Sequence, residues 1–421
     1  MRALPLLLAT ALAVAGGAAI ANQGTLVGGN VESLLEFARE RHPEYAALRL
    51  ETEAAEARVA PAAALPDPMF GVELRDFLTS ASGPNLLPAR VGATRYALTQ
   101  TLPWFGKRDL QRAIATAGAE AARGQAAAGW AELAWQIKQV YAEHYLHQAS
   151  LRYGRENLEL LGQIEQIAQV RYAGGLAAQQ DAIRAQTERA ALRGEIVMLE
   201  GESEQSSARM RSLLGGLPAG AVLRPPERLR SPPLPARLDP VALEARLAER
   251  SPRLAADAAR IDAADKGRAL SLRNRYPDVT VGLAAMQERN RVTGYDLMFE
   301  INIPLQRDSR RAREREAERL HEAALARREA TLNQLRAELH QSLVGLRAAQ
   351  RVAELVGASL LPQAELTLQA ALAGYETGRV DFAAVLDAQR QIRRAKEDLA
   401  RARVQQEQRR ADIERAIGEE L

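Results

Sequence analysis

From Thr293 to Leu305 the chain reads TGYDLMFEINIPL, with apolar and polar residues in alternation. Tyr295, Leu297, Phe299, Ile301 and Ile303 share one parity, and Asp296, Met298, Glu300 and Asn302 share the other. Successive side chains of a strand point to opposite faces, so this segment reads as a strand with one apolar and one mainly polar side. Three more stretches alternate in the same way. Met69 to Phe77 sets Phe70, Val72 and Leu74 against Glu73 and Arg75. Gly92 to Leu102, less cleanly, sets Tyr96 and Leu98 against Arg95 and Thr99, and Val279 to Met286 carries Val279, Val281 and Leu283 on its apolar side. Strands are therefore expected at about 69–77, 92–102, 279–287 and 294–305.

The rest of the chain has a helical period. Val31 to Ala60 is expected to form a helix that Pro66-Asp67-Pro68 stops. Between Lys107 and Arg171 no proline intervenes, and Trp130, Leu133, Ile137, Val140, Leu151, Leu158 and Leu161 recur at helical spacing. At ~1.5 Å per residue such a run reaches roughly 100 Å. A returning helix from Leu176 to Leu214 would pack on it as a hairpin of coiled-coil character. Asp308 to Leu372 and Val380 to Ile417 repeat the plan, with Pro362 as the expected kink or break.

That repetition runs through the whole chain. RHPEYAALRLETEAAEARV is echoed by RSPRLAADAARIDAADKGR, and YALTQTLPWFGKRDLQRA by LMFEINIPLQRDSRRARE. RYAGGLAAQQDAIRAQTE is echoed by GYETGRVDFAAVLDAQRQ, which aligns Tyr172 with Tyr375 and Gly175 with Gly378. The sequence thus divides into repeats at 22–216 and 241–421, joined by a Pro-rich linker at 217–240. Each repeat reads helix, two strands, long helix, Gly-containing tip, helix, with the tips near 172–176 and 375–379. The fold class is α+β and mainly helical.

Met1-Arg2 followed by LPLLLATALAVAGGAAI and an A-x-A site at Ala19-Ile20-Ala21 reads as a secretory signal peptide at 1–21 rather than a membrane helix. No later run of about 18 apolar residues supplies a helical span. Four strands of roughly ten residues match the length and pattern of outer-membrane barrel strands. Four cannot close alone, because edge strands would leave backbone groups unpaired in hydrocarbon. Closure must come from further copies: two would give eight strands and three would give twelve. On this reading Glu73, Arg75, Asp296 and Glu300 face a wet lumen, where they tune ion passage or simply keep the lumen hydrated.

The duplicated plan, the Y-x-x-G tips and the run VLDAQ from Val385 resemble the TolC-type outer-membrane efflux factors over essentially the whole mature chain. LPDPMFGVEL from Leu65 and QTLPWFGKR from Gln100 are similar to the branch serving heavy-metal efflux of the resistance-nodulation-division type. The resemblance implies a homotrimer whose twelve-stranded barrel sits in the outer membrane of a Gram-negative bacterium and continues as a helical tunnel into the periplasm. It also implies two partners, a periplasmic adaptor (a membrane fusion protein) and an inner-membrane pump. The tip residues Tyr172, Gly174, Gly175, Leu176 and Gly378 would meet the adaptor, and the glycines also suit turns needing positive φ. By position, Gln180, Asp181, Tyr375 and Asp387 would form the closed end of the tunnel. Val380 and Ala384 stand where the family's pattern has an arginine and an aspartate, although Arg379 lies next door. The alternative class is a soluble periplasmic coiled-coil adaptor or scaffold.

Bulk properties and tempting motifs narrow the chemistry. With 56 basic and 53 acidic residues the charge is near balance and gives no argument for nucleic acid. With no cysteine there is no disulfide, thiolate metal site or cysteine nucleophile. His321-Glu322 is followed by Leu325 rather than a second histidine, so the zinc-protease pattern fails. Gly106-Lys107 lacks the leading glycine of a phosphate loop. No cofactor and no enzyme activity are expected. His144 and His147 continue an apolar stripe and read as a polar pair in a helix interface, and the Arg-rich run from Arg307 reads as a solvated helix face. Trp104 and Phe105, with Lys107 and Arg108, read either as an interfacial anchor at the periplasmic rim or as a plain helix start.

Overall fold

The computed structural model describes residues 26–76, 87–88, 91–217, 222–288 and 291–421. The signal segment expected at 1–21 and most of the loop expected at 79–87 lie outside them. The single helix expected at 31–60 is three: α1 (Val31–Arg41), α2 (Pro43–Ala57) and α3 (Val59–Ala63). Asn30 starts α1 by accepting from Ser33 N at 3.1 Å. Pro43 forces His42 into an extended conformation and ends α1. Then comes α4 (Lys107–Ala173), 67 residues long, which spans about 100 Å. The return helix is α5 (Gln179–Leu213).

The second repeat follows the same rules. A serine–proline pair, Ser251-Pro252, separates α6 (Pro240–Arg250) from α7 (Pro252–Arg273). The helix α8 (Arg307–Leu355) runs into a π-turn at Val356–Leu360 before α9 (Leu361–Glu376), and α10 (Phe382–Ile417) returns. The break expected at Pro362 therefore begins six residues ahead of it. A proline ring crowds the carbonyl four residues back and gives it no donor, and a widened turn relieves both.

Among the described residues six strands form two sheets. A short parallel pair joins β1 (Leu26–Gly28) to β4 (Val222–Arg224), so the linker expected at 217–240 is tied to the start of the first repeat. The main sheet is antiparallel, in the order β2 (Met69–Arg75), β3 (Ala93–Leu102), β5 (Val279–Glu288), β6 (Arg291–Ile301). β6 begins three residues earlier than expected and stops at Ile301 rather than 305. Asn302 N still reaches Asp278 O at 3.2 Å, but Pro304 has no donor to carry the ladder further. Strands β2 and β6 are its two open edges.

The duplication is visible in the packing. In the first repeat Leu34, Leu133, Ile137, Met210 and Leu214 share a core, and in the second Leu243, Leu247, Leu339, Ile413 and Ile417 do. Gly215 and Gly418, both at positive φ, each close the return helix against a proline, Pro43 and Pro252 respectively. A Cβ at either glycine would collide with that ring. A third core joins all four helices of the tip half through Leu161, Ile164, Leu192, Leu368, Tyr375, Phe382 and Val385.

Candidate functional site

Register decides which strand residues share a face. Leu98 pairs with Phe70 and Leu283, and Leu283 pairs with Leu297, so one row of four large apolar side chains crosses the sheet. All four are more than half exposed in the single chain. Neighbouring rows bring Val72, Tyr96 and Tyr295, and Val281 and Phe299, to the same face. The opposite face holds Glu73, Arg75, Asp296 and Glu300, as the alternation predicts. It also holds Arg95, which organises the others: its guanidinium lies 3.5 Å from Glu73 and 3.7 Å from Asp296, while Arg75 reaches Glu73 at 3.3 Å. The sequence reading put Arg95 on the polar parity without singling it out, because β3 is the least regular strand. Thr101 and Thr280 hydrogen-bond beside Glu300 at 3.1 Å.

Where the sheet turns into α4, aromatic and charged residues form a joint. Trp104 stacks on Tyr276 at 5.4 Å between centroids and its backbone N donates to Asp278 at 2.8 Å. Lys107 is buried rather than projecting to an interface, and its Nζ donates to the same Asp278 oxygen at 2.8 Å and to Tyr276 O at 2.9 Å. Arg108 is turned inward onto Ala63 O at 2.9 and 2.6 Å. Only Phe105, 85% exposed, projects freely. Asp278→Ala removes one acceptor from a backbone N–H and from a buried ammonium, and is expected to cost about 2–4 kcal/mol. Denaturant unfolding of the detergent-solubilised protein checks this; an unchanged midpoint would contradict the joint.

At the far end the two tips are built alike. Gly175 N donates to Tyr172 O at 2.9 Å and Gly378 N to Tyr375 O at 3.0 Å, both glycines having positive φ. The equivalent tyrosines have different surroundings. Tyr172 is half exposed, as Leu176 is exposed, whereas Tyr375 is buried against Phe382. Tyr375 Oη donates to Asp181 Oδ2 at 3.1 Å and so joins the second hairpin to the first. Burial first, and then Asp181, push the Tyr375 hydroxyl up to about 12, so it stays a donor at any physiological pH. Of the five residues expected at the closed end, these two meet. Gln180 and Arg379 are exposed, and Asp387 lies 3.9 Å from Arg390.

The contact continues as a ladder between α5 and α10 that the sequence reading missed. Glu188 takes two bonds from Arg390, at 3.0 and 2.8 Å, and Glu195 takes one from Arg393 at 3.0 Å. Asp181, Glu188 and Glu195 are seven apart, so one face of α5 presents an acid every two turns; that spacing was the available signal. The aligned glutamines also bond into α4: Gln186 to Glu165 at 3.1 Å and Gln389 to Asn157 at 2.5 Å.

His144 is buried in the α4–α5 interface, its Nδ1 2.7 Å from Ser206 Oγ. Ser206 spends its own proton on Ser203 O, so His144 is the donor. Burial, and then His147, bring His144 down to about 4 and keep it neutral in the working range. His147 sits 3.8 Å from Glu143 and 3.3 Å from Glu202. Among the described residues no group of histidines and carboxylates forms a metal site, and no helix is long and apolar enough to cross a membrane.

Residues 34–216 and 244–419 match the profile of a family described as outer membrane efflux protein, so both repeats are covered. The cobalt-zinc-cadmium resistance protein CzcC of Cupriavidus metallidurans is 27% identical over 299 residues, covering 69% of each chain. Among solved structures, CusC superposes with a TM-score of 0.79 at 18% identity, over 94% of this chain and 93% of its own. VceC of Vibrio cholerae gives 0.76 at 18%, over 93% and 96%. The match over both repeats, each of which folds as two strands and a helical hairpin, makes this chain a member of the outer membrane efflux protein family, an outer-membrane channel and not an enzyme.

Proposed function

We propose that the chain is the passive exit duct of a tripartite efflux assembly, a homotrimer that a periplasmic adaptor joins to an inner-membrane pump of the resistance-nodulation-division type. The observation that carries this is the sheet: four strands with two open edges and one exposed apolar face. In lipid those edges need partners, and pairing β6 of one copy with β2 of the next satisfies both. Three copies close a twelve-stranded barrel with Arg95, Glu73 and Asp296 lining its lumen, and the α4–α5 and α9–α10 hairpins extend below it as a tunnel. Trp104 and Phe105 stand at its periplasmic rim. The likeness to CzcC supports heavy-metal cations as the cargo. No bond is made or broken by the duct; energy enters at the pump.

The Tyr375–Asp181 bond is the contact that closes the tunnel between hairpins. Tyr375→Phe removes a hydrogen bond to a charged group, a loss of about 1.5–3 kcal/mol that corresponds to roughly tenfold or more in the ratio of open to closed. In planar lipid bilayers the variant is expected to show larger or more frequent conductance than the wild type, and equal traces would rule the contact out as a gate. For the cargo, a strain lacking this gene is expected to become sensitive to cobalt, zinc and cadmium. Sensitivity to drugs alone would assign the duct to another pump.

A further inference from the structure

We propose that Arg171 is a positioning residue of the closing contact, holding Tyr375 on Asp181 and tying that contact to the turn of the first tip. This rests on the exit-duct reading and concerns a residue that the sequence did not single out. Arg171 lies at the end of α4, on the first hairpin, and its guanidinium carbon stands 4.4 Å from the centroid of the Tyr375 ring on the second. Its Nη2 donates to Leu176 O at 3.0 Å, inside the first tip turn, and the Arg171 carbonyl accepts from Leu176 N at 2.8 Å. One residue therefore grips the tip turn through its backbone and side chain together, while its flat face covers the tyrosine that bonds Asp181.

The second tip makes room for this. Gly378 has φ +75, and a Cβ there would stand 3.4 Å from Arg171 Nη2. The glycine thus serves the turn and also leaves space for the neighbouring hairpin's guanidinium. The placement has a built-in weakness. Arg171 Nε and Nη1 are buried and meet no acceptor among the described residues. A guanidinium can stack and donate sideways at the same time, but these two nitrogens gain nothing from the closed arrangement. When the tip turn is displaced, Leu176 O leaves, and the cation loses what holds it over the ring. Asp181, on the same hairpin, then loses its hydroxyl donor as Tyr375 withdraws and becomes a counterion of the right charge for the freed guanidinium. Disturbing the exposed turn at Gly174 to Leu176 is in this way transmitted to the contact between hairpins.

The test uses the full-length oligomer in planar lipid bilayers, with an intact oligomer band on an unheated gel as the check of folding. Arg171→Ala is expected to raise the open fraction about fivefold, the size of a cation–π contact at a site still partly open to solvent. Arg171→Lys should recover only part of the closed state, because an ammonium can lie over the ring or reach Leu176 O but not both. Combining Arg171→Ala with Tyr375→Phe should open the channel no further than the larger single change, since both act on one contact. The proposal is overturned if Arg171→Ala conducts like the wild type while Tyr375→Phe does not, if Arg171→Lys restores wild-type behaviour, or if the two effects add. A wild-type protein that forms no pores would instead remove the duct reading itself.

Discussion

Glu414→Ala is expected to destabilise the protein by about 3–5 kcal/mol, enough to unfold the second repeat's base or abolish the oligomer. The Glu414 carboxylate is buried in α10 and accepts from five groups. Lys138 Nζ of α4 donates at 2.7 Å, Arg230 of the linker twice at 3.0 Å, Arg410 Nε at 3.0 Å and Leu421 N at 3.0 Å. Arg230 is also held by Glu407 at 2.6 Å. Removing Glu414 leaves Lys138, itself buried, with only the exposed Glu420 at 3.7 Å. An ammonium in that position is costlier than either the intact pair or an apolar replacement of the whole cluster. Denaturant midpoints of Glu414→Ala and of the double change Lys138→Met with Glu414→Leu measure the difference, and the double variant should recover most of the loss.

The same cluster predicts an acid response. Burial alone would raise Glu414, but Lys138 and Arg230 outweigh it and hold the carboxyl below its usual range. Its stabilisation is therefore present above the unfolded carboxylate pKa and is lost as pH falls through the folded value. Glu407 goes the other way: burial raises it and Arg230 offsets this only in part, so it opposes folding as pH rises through its folded value. Glu414→Gln should remove the acid-side loss while leaving the rise in stability that Glu407 produces on protonation. An acid unfolding profile identical to the wild type would show that the cluster does not govern it.

Leu297→Arg is the second large effect. Leu297 ends the row from Phe70 through Leu98 and Leu283. A cation on the lipid face of an outer-membrane barrel costs about 2–4 kcal/mol per copy at the bilayer midplane. In the proposed trimer three copies multiply this, and little heat-sensitive oligomer should be recovered from the outer-membrane fraction. Met298→Arg, one residue on, falls on the charged face beside Arg95 and Asp296 and should insert nearly as well as the wild type. Equal recovery of the two variants would mean that the faces have been assigned the wrong way round.

Much of the architecture was legible because it is periodic. Alternation located all four strands of the main sheet, and β6 was carried too far at its C-terminal end because Pro304 removes a donor that side-chain parity does not reveal. Helical spacing found α4 to within two residues of its end, whereas the split of 31–60 at Pro43 depends on a backbone rule that the apolar pattern overrides by eye. Internal repetition located both tips. The proposed closing contact was half legible: Asp181 and Tyr375 stood among four residues carried over by resemblance, with Arg379 beside them, and nothing in the sequence separated the two from Gln180, Arg379 and Asp387. The separation comes from packing. Tyr172 and Tyr375 are equivalent in sequence, yet only one is buried against the other hairpin.

By itself the sequence determined the period of every element, the duplication and the need for further copies around an open sheet, because these follow from local spacing and from unpaired backbone. Tertiary structure alone decided which charges meet. Lys138 and Glu414 are 276 residues apart, and Glu414 aligns in the first repeat with the exposed Arg211, so repetition gives no hint of their pairing. Arg95, Asp278 and Arg171 likewise acquired roles only when strands and hairpins were set side by side. A side chain's period is fixed by its neighbours in the chain, whereas the partner of a buried charge is fixed by whichever element the hydrophobic faces bring against it.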